Sequence, residues 1–267
     1  MTGDIFRSIL RLVAQAPMPI NVETVALVTT TYLFAGIVKG ITGLGIPIIG
    51  VAFTAPIIGM QPAVALALGP SVLTNVWQAL VGGNFFAILR RIWPLLLTSL
   101  IGIWFGSGIL AATDSRYLLL FLGALLIVYS VTALIRARLP SPGSHESWLS
   151  PTLGLPAGII FGMTGSYMVP GTLYIQSLGM PRDVCVQALG IAFVAVSLML
   201  SGAMLHRALL TPELMIMTLG AVVPCVLGML IGQRLRRHLT EGQFTRVVLV
   251  VILLTGIYMI ARVAIGQ

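Results

Sequence analysis

Charge is scarce in this chain: 8% of its 267 residues are Asp, Glu, Lys or Arg, where a water-soluble domain carries about 25%. So few polar groups cannot cover a water-facing surface, which excludes an ordinary soluble domain. Carboxylates number seven, and each falls at a predicted segment end or in a loop: Asp4, Glu23, Asp114, Glu146, Asp183, Glu213 and Glu241. His145, His206 and His238 are placed likewise. No cluster of these groups stands ready as acid, base or metal ligand, so no catalytic residue, metal site or cofactor is expected. The HExxH, GxSxG and phosphate-cradling glycine-lysine motifs are missing too, which removes support for intramembrane proteolysis, phosphotransfer and ATP-driven pumping. Cys185 and Cys225 lie inside apolar segments without ligand spacing, and read as small core residues.

What fills the chain is hydrocarbon. Hydrophobic residues make up 58%, with a mean hydropathy of +1.05. Apolar runs at 64–83, 92–112, 117–135, 184–205, 214–231 and 244–261 each approach the roughly 20 residues that span a bilayer. The alternation of an outer-membrane barrel is absent. The expected fold is therefore an all-α polytopic membrane protein. The net charge of +8 resides in short loops, where arginines report orientation rather than nucleic-acid binding. At the N-terminus, Ile5, Phe6, Ile9, Leu10, Leu12 and Val13 alternate with Asp4, Arg7, Ser8, Arg11 and Gln15, without a signal-cleavage site. Residues 1–21 read either as a short helix lying in the interface or as a frayed terminus.

The chain also repeats itself. Ala35-Gly36-Ile37-Val38-Lys39-Gly40-Ile41-Thr42-Gly43 recurs 122 residues later as Ala157-Gly158-Ile159-Ile160-Phe161-Gly162-Met163-Thr164-Gly165. Gly59-Met60 matches Gly179-Met180 at 120, Gly102 and Gly106 match Gly228 and Gly232 at 126, and Tyr129 matches Tyr258 at 129. An ordered series of this kind predicts an internal duplication: an N-terminal segment 1–21, a first membrane repeat 22–138, a linker 139–150 and a second membrane repeat 151–267. The polar, Pro-rich stretch beginning at Arg136 marks the joint.

Each half opens with an apolar helix that runs into helix breakers, Gly43-Leu44-Gly45-Ile46-Pro47 and Gly165-Ser166-Tyr167-Met168-Val169-Pro170. Broken backbone inside a membrane survives only where protein or a water-filled cavity satisfies it, and matched breaks in two halves point to a transporter binding site. With four spans per half, Lys and Arg divide 8 to 7 between the two sides and give no orientation. If the short segments 45–59 and 169–179 also cross, one side holds Lys39, Arg90, Arg91, Arg136, Arg138, Arg182, Arg234, Arg236, Arg237 and Arg246. The other then holds Arg7, Arg11, Arg116, Arg207 and Arg262, a 10 to 5 split that obeys the positive-inside rule. Five passes per half make the halves inverted repeats, within a range of about eight to ten transmembrane segments.

One cation stands inside a span. Lys39 lies four residues before the first break, and a charge at depth marks a substrate or ion path unless it snorkels to the surface. Its repeat counterpart is Phe161, so a basic site there is asymmetric. Ser71, Thr74, Asn75 and Gln78 share one helical face, and Gln187 and Ser197 occupy the corresponding helix of the second half. A lining of hydroxyls, amides and one lysine suits a small anion. The candidate substrate-binding residues are Lys39, Thr42, Gly43, Leu44, Gly45, Asn75, Gln78, Thr164, Gly165, Ser166, Tyr167 and Gln187.

The doubled Gly-x-x-x-Gly-x-Thr-Gly lead-in and the Gly-Met continuation resemble the TauE/SafE sulfite-exporter-like family of transporters over about residues 24–263. Gly36 to Gly45 carry the stronger match, followed by Ile46-Pro47 in place of a further glycine; Ser166-Tyr167 replace glycines in the second half. The resemblance implies secondary transport of a small sulfur-containing anion, namely sulfite, sulfoacetate or an organosulfonate such as isethionate or taurine, across the bacterial inner membrane. The expected partners are that anion and the lipid bilayer, with a homo-oligomer allowed. The alternative is a non-transporting membrane subunit that serves as a scaffold for a partner enzyme.

Overall fold

A computed structural model of the protein describes residues 22–43, 45–135, 140–236 and 241–265. The N-terminal segment 1–21, Leu44, Arg136, Arg138 and Arg237 lie outside the described residues, as does the first residue of the expected linker. The described chain is helical, without strands. α1 (Val22–Thr42), α2 (Ile46–Ile58), α3 (Met60–Leu80), α4 (Phe85–Ala112) and α5 (Ser115–Leu134) form the first half. After a short 3-10 turn come α6 (Glu146–Thr164), a five-residue π turn (Met168–Thr172), α7 (Leu173–Ser177), α8 (Arg182–His206), α9 (Pro212–Leu235) and α10 (Glu241–Ala264). Seven of these helices (α1, α3, α4, α5, α8, α9 and α10) are long and apolar enough to cross a membrane.

The helices start and stop where local chemistry dictates. The Asp114 carboxylate accepts from the Arg116 backbone N–H at 2.8 Å, which caps α5. Thr211 accepts from Leu214 N–H at the start of α9, and Pro212 follows at the first helical position. α1 and α6 end alike. Gly43 N–H donates to the Lys39 carbonyl at 2.7 Å, and Gly165 N–H donates to the Phe161 carbonyl at 2.7 Å. Both glycines are left-handed, at φ 82° and 67°, a conformation L side chains rarely adopt. Thr42 and Thr164 each bond the carbonyl four residues back, Val38 and Ile160. The two helix ends that lead into the predicted breaks are thus the same local structure, 122 residues apart.

Packing then crosses between halves. α1 lies against α9, and α4 against α6. A Cβ on Gly36 would meet Cys225 and Met229 backbone at 2.9 and 3.0 Å; a Cβ on Gly228 would meet Ile37 N at 3.0 Å. The equivalent contact sets Gly158 on Ser99 (2.7 Å) and Gly102 on Ile159 N (2.8 Å). Gly36, Gly102, Gly158 and Gly228, all members of the matched series, therefore let two pairs of helices touch backbone to backbone, the small-residue solution to packing in lipid. α3 packs on α8, and α5 on α10.

Directions follow from which ends meet. Arg91, near the start of α4, pairs with Glu146 at the start of α6. Gln187 in α8 bonds Asn84 before α4 and Ala79 at the end of α3. Those ends share one face of the molecule with the ends of α1 and α9 around a common cavity. α1 therefore ends at the face where α6 begins, so the two helices that lead into the predicted breaks run in opposite senses. Lys39, Arg90, Arg91, Arg182, Arg234, Arg236 and Arg246 gather at or toward this face. Arg116, Arg207 and Arg262 lie at the other, bonded to Val263, Trp104 and Pro56 carbonyls. α2 spans only 13 residues, about 20 Å, yet its end at Pro56 reaches Arg262. The chain after Gly165 returns to Leu178, whose carbonyl accepts from Arg91 at 3.0 Å. The first short segment thus links opposite ends, and the second returns to the arginine-rich face.

Candidate functional site

A cavity of about 600 Å³ opens on the arginine-rich face. α1 contributes Lys39, Gly40 and Gly43; the end of α3 contributes Thr74, Trp77 and Gln78. Asp183, Val186 and Gln187 enter from the first turns of α8, and Met229, Gln233 and Arg236 from the end of α9. α9 can bring these in because Gly36 and Gly40 let it lie directly on α1.

Lys39 is 5% exposed. Among the described residues its ammonium donates to one partner, the Asn75 side-chain oxygen. Asn75 in turn donates to the Ser71 carbonyl at 2.7 Å, and the Ser71 hydroxyl meets that of Ser197 at 3.1 Å. A line of polar groups thus joins α1, α3 and α8 in an apolar interior. Its far members are neutral, so the lysine charge is hydrogen-bonded but not cancelled by direct contact with a carboxylate. Burying an uncompensated cation is costly unless something anionic neutralises it. Gln78 and Gln187 brace the crossing above it. Gln78 donates to the Val186 carbonyl at 2.7 Å and Gln187 to the Ala79 carbonyl at 2.9 Å. Each amide therefore holds the opposite helix's backbone.

A family model described as Sulfite exporter TauE/SafE matches residues 28–259 of the chain. The chain belongs to the TauE/SafE sulfite exporter family. Comparison with curated proteins and with solved structures finds no match. The matched region contains both breaks and every wall of the cavity. A sulfite-exporter-type membrane transporter implies a lipid bilayer and a small anionic substrate, and the multi-pass bundle of apolar helices agrees with that.

Within this TauE/SafE chain the candidate residues separate into two groups. Lys39, Gly43, Gln78 and Gln187 line the cavity, with Asn75 buried beneath Lys39. Gly45, at φ 123°, packs toward Val38 and Ile49; Thr42 is tied to its own helix; Leu44 lies outside the described residues. The second break stands apart. Thr164 and Tyr167 are fully buried, Ser166 nearly so, and Gly165 packs toward Val51 and Val64. The Tyr167 hydroxyl meets that of Ser99 at 2.8 Å. Its ring sits edge-on to Phe161 at 5.8 Å and to Phe193 at 5.9 Å. None of Thr164, Gly165, Ser166 and Tyr167 is among the cavity's lining residues.

Sequence reasoning did not select Thr74, Asp183, Gln233 or Arg236 as site residues, though all four line the cavity. Thr74 shares a helical face with Asn75 and Gln78, a usable signal. Gln233 and Arg236 directly follow the Gly228–Gly232 pair, whose match to Gly102 and Gly106 was visible. Nothing in the sequence says that those glycines lie on α1.

Proposed function

We propose that this protein is a secondary transporter of a small sulfur-containing oxyanion, sulfite or an organosulfonate such as sulfoacetate, isethionate or taurine. In this reading it sits in a bacterial inner membrane with the arginine-rich face toward the cytoplasm. The anion enters the cavity from that face and reaches Lys39, where charge-assisted hydrogen bonds replace its hydration. Thr74 and the cavity-facing parts of Gln78 and Gln187 supply neutral polar surface around it. The observation that carries the proposal is the buried Lys39 ammonium at a water-accessible cavity, partnered by a neutral amide among the described residues. A scaffold subunit has no use for such a charge.

Two inverted halves supply the means of movement. The first break adjoins an open cavity, while the second is packed shut under Phe161, Tyr167 and Phe193. This arrangement is one half of an alternating-access cycle, open toward the arginine-rich face. Proteoliposomes loaded with sulfite, sulfoacetate, isethionate, taurine or sulfate provide the test. Protein-dependent efflux of at least one sulfur anion supports transport. Vesicles that hold all five as tightly as protein-free ones would leave only the scaffold.

A further inference from the structure

A second cavity, of about 340 Å³, lies at the same arginine-rich face between the end of α5, the start of α8 and the first turns of α10. Arg182, Thr245 and Arg246 supply its polar rim, and Ala133, Leu134 and Leu249 its apolar floor. Arginine is the side chain best suited to phosphate, because its planar fork offers paired donors and a permanent charge. Below the rim, the outer faces of α5 and α10 continue as hydrocarbon: Val131 and Val250 are each 41% exposed and Leu254 59%. A polar mouth over an apolar track matches a lipid, whose phosphate stays at the interface while its chains lie along the helices. A free phosphate would use the rim and leave the track idle.

We propose that this pocket seats the phosphate of an anionic phospholipid from the leaflet at the arginine-rich face. Basic pockets between transmembrane helices on that side are suited to such headgroups. The site is distinct from the Lys39 cavity but adjoins it, since Arg182 borders this pocket and the next residue, Asp183, lines the other. The bound lipid therefore sits against the start of the helix that forms one wall of the transport cavity, and fixes α8 against α5 and α10.

The test uses the full chain purified in an uncharged detergent, with thermal unfolding and native mass spectrometry as readouts. Phosphatidylglycerol, phosphatidylcholine of the same chain length and inorganic phosphate are titrated in parallel. Phosphatidylglycerol is expected to raise the melting temperature and to remain bound, because a ligand of the folded state stabilises it. Phosphatidylcholine and inorganic phosphate at the same concentration should not. Each arginine near an anionic headgroup is worth about fivefold in affinity, so R182Q/R246Q should bind phosphatidylglycerol about 25-fold more weakly. R246Q alone, at an exposed position, should lose about fivefold and guards against misfolding of the double variant. Equal stabilisation by phosphatidylcholine, or an undiminished response in both variants, overturns the proposal. Inorganic phosphate that reproduces the effect reassigns the pocket to a soluble anion, and so overturns the lipid as well.

Discussion

At the residue scale the balance at Lys39 decides most. Its ammonium is buried against Asn75, so in the empty state the protein carries a desolvated charge that weakens the fold and strengthens the site. Lys39→Met removes the cation while leaving Asn75 one hydrogen bond short, a cost of about 1–3 kcal/mol against which the relieved charge burial works. The variant should therefore fold. A hydrogen bond to a charged group is worth about 1.5–3 kcal/mol, so affinity for the transported anion should fall at least about tenfold. Calorimetric titration of the purified variant checks this. Undiminished binding would mean that the neutral donors alone form the site. Thr218 shows the same accounting in neutral form. Pro70 cannot donate to the Leu66 carbonyl four residues back, and Thr218 of α9 supplies that bond at 2.9 Å.

Among elements, the two close helix pairs matter more than helix propensity. A methyl group at Gly158 would stand 2.7 Å from the Ser99 Cα and carbonyl carbon, backbone that can yield only if α4 and α6 separate. Gly158→Ala should cost about 1–3 kcal/mol, as overpacking does, and lower the unfolding temperature in detergent. Gly202 in α8 is the matched control, since a Cβ there meets nothing within 4 Å. Gly202→Ala should be neutral or raise stability by about 0.5–1 kcal/mol, because alanine restricts the unfolded chain. Equal losses at both positions would show that helix contact is not what Gly158 supplies. The aromatic cluster at the second break belongs to this scale too. Phe161 occupies the sequence position that matches Lys39 and meets Tyr167 instead of water, so the two matched segments differ in chemistry.

For the whole molecule, the charge distribution sets orientation. With the arginine-rich face in the cytoplasm, the exposed Ser144 between α5 and α6 should also be cytoplasmic. In a background without Cys185 and Cys225, Ser144→Cys should resist a membrane-impermeant thiol reagent in intact cells and react in inverted vesicles. Labelling in intact cells would overturn the orientation. Energy coupling follows from the carboxylates. Glu23, Asp114, Glu146, Asp183 and Glu213 all stand at caps or in first turns, so the described helices carry no mid-span carboxylate relay of the kind proton-coupled carriers use. A monovalent anion leaving a cell that is negative inside gains about 2.3 kcal/mol per 100 mV without any co-ion. Efflux from vesicles under a potassium-diffusion potential should therefore rise with the imposed voltage. Flux that ignores voltage and follows a Na⁺ or proton gradient would show coupling through unwound carbonyls at the breaks.

Local chemistry was enough to read several features from the sequence. Hydrocarbon without charge dictates membrane helices, and Gly43 and Gly165 dictate where α1 and α6 stop. The count of arginines separates the faces. All of these are set by neighbours within a turn or two, or by composition. Only the tertiary structure decided that α1 lies on α9 and α4 on α6, and hence that Asp183, Gln233 and Arg236 share a cavity with Lys39. It likewise decided that the second break closes under Phe161, Tyr167 and Phe193 while the first borders open space. The physical reason is that lipid tails are as apolar as leucine. A membrane helix is hydrophobic toward lipid and toward protein alike, so its periodicity does not say which face meets a partner, and the close pairs join residues far apart in the chain, Gly36 to Cys225 across 189 positions and Ser99 to Gly158 across 59.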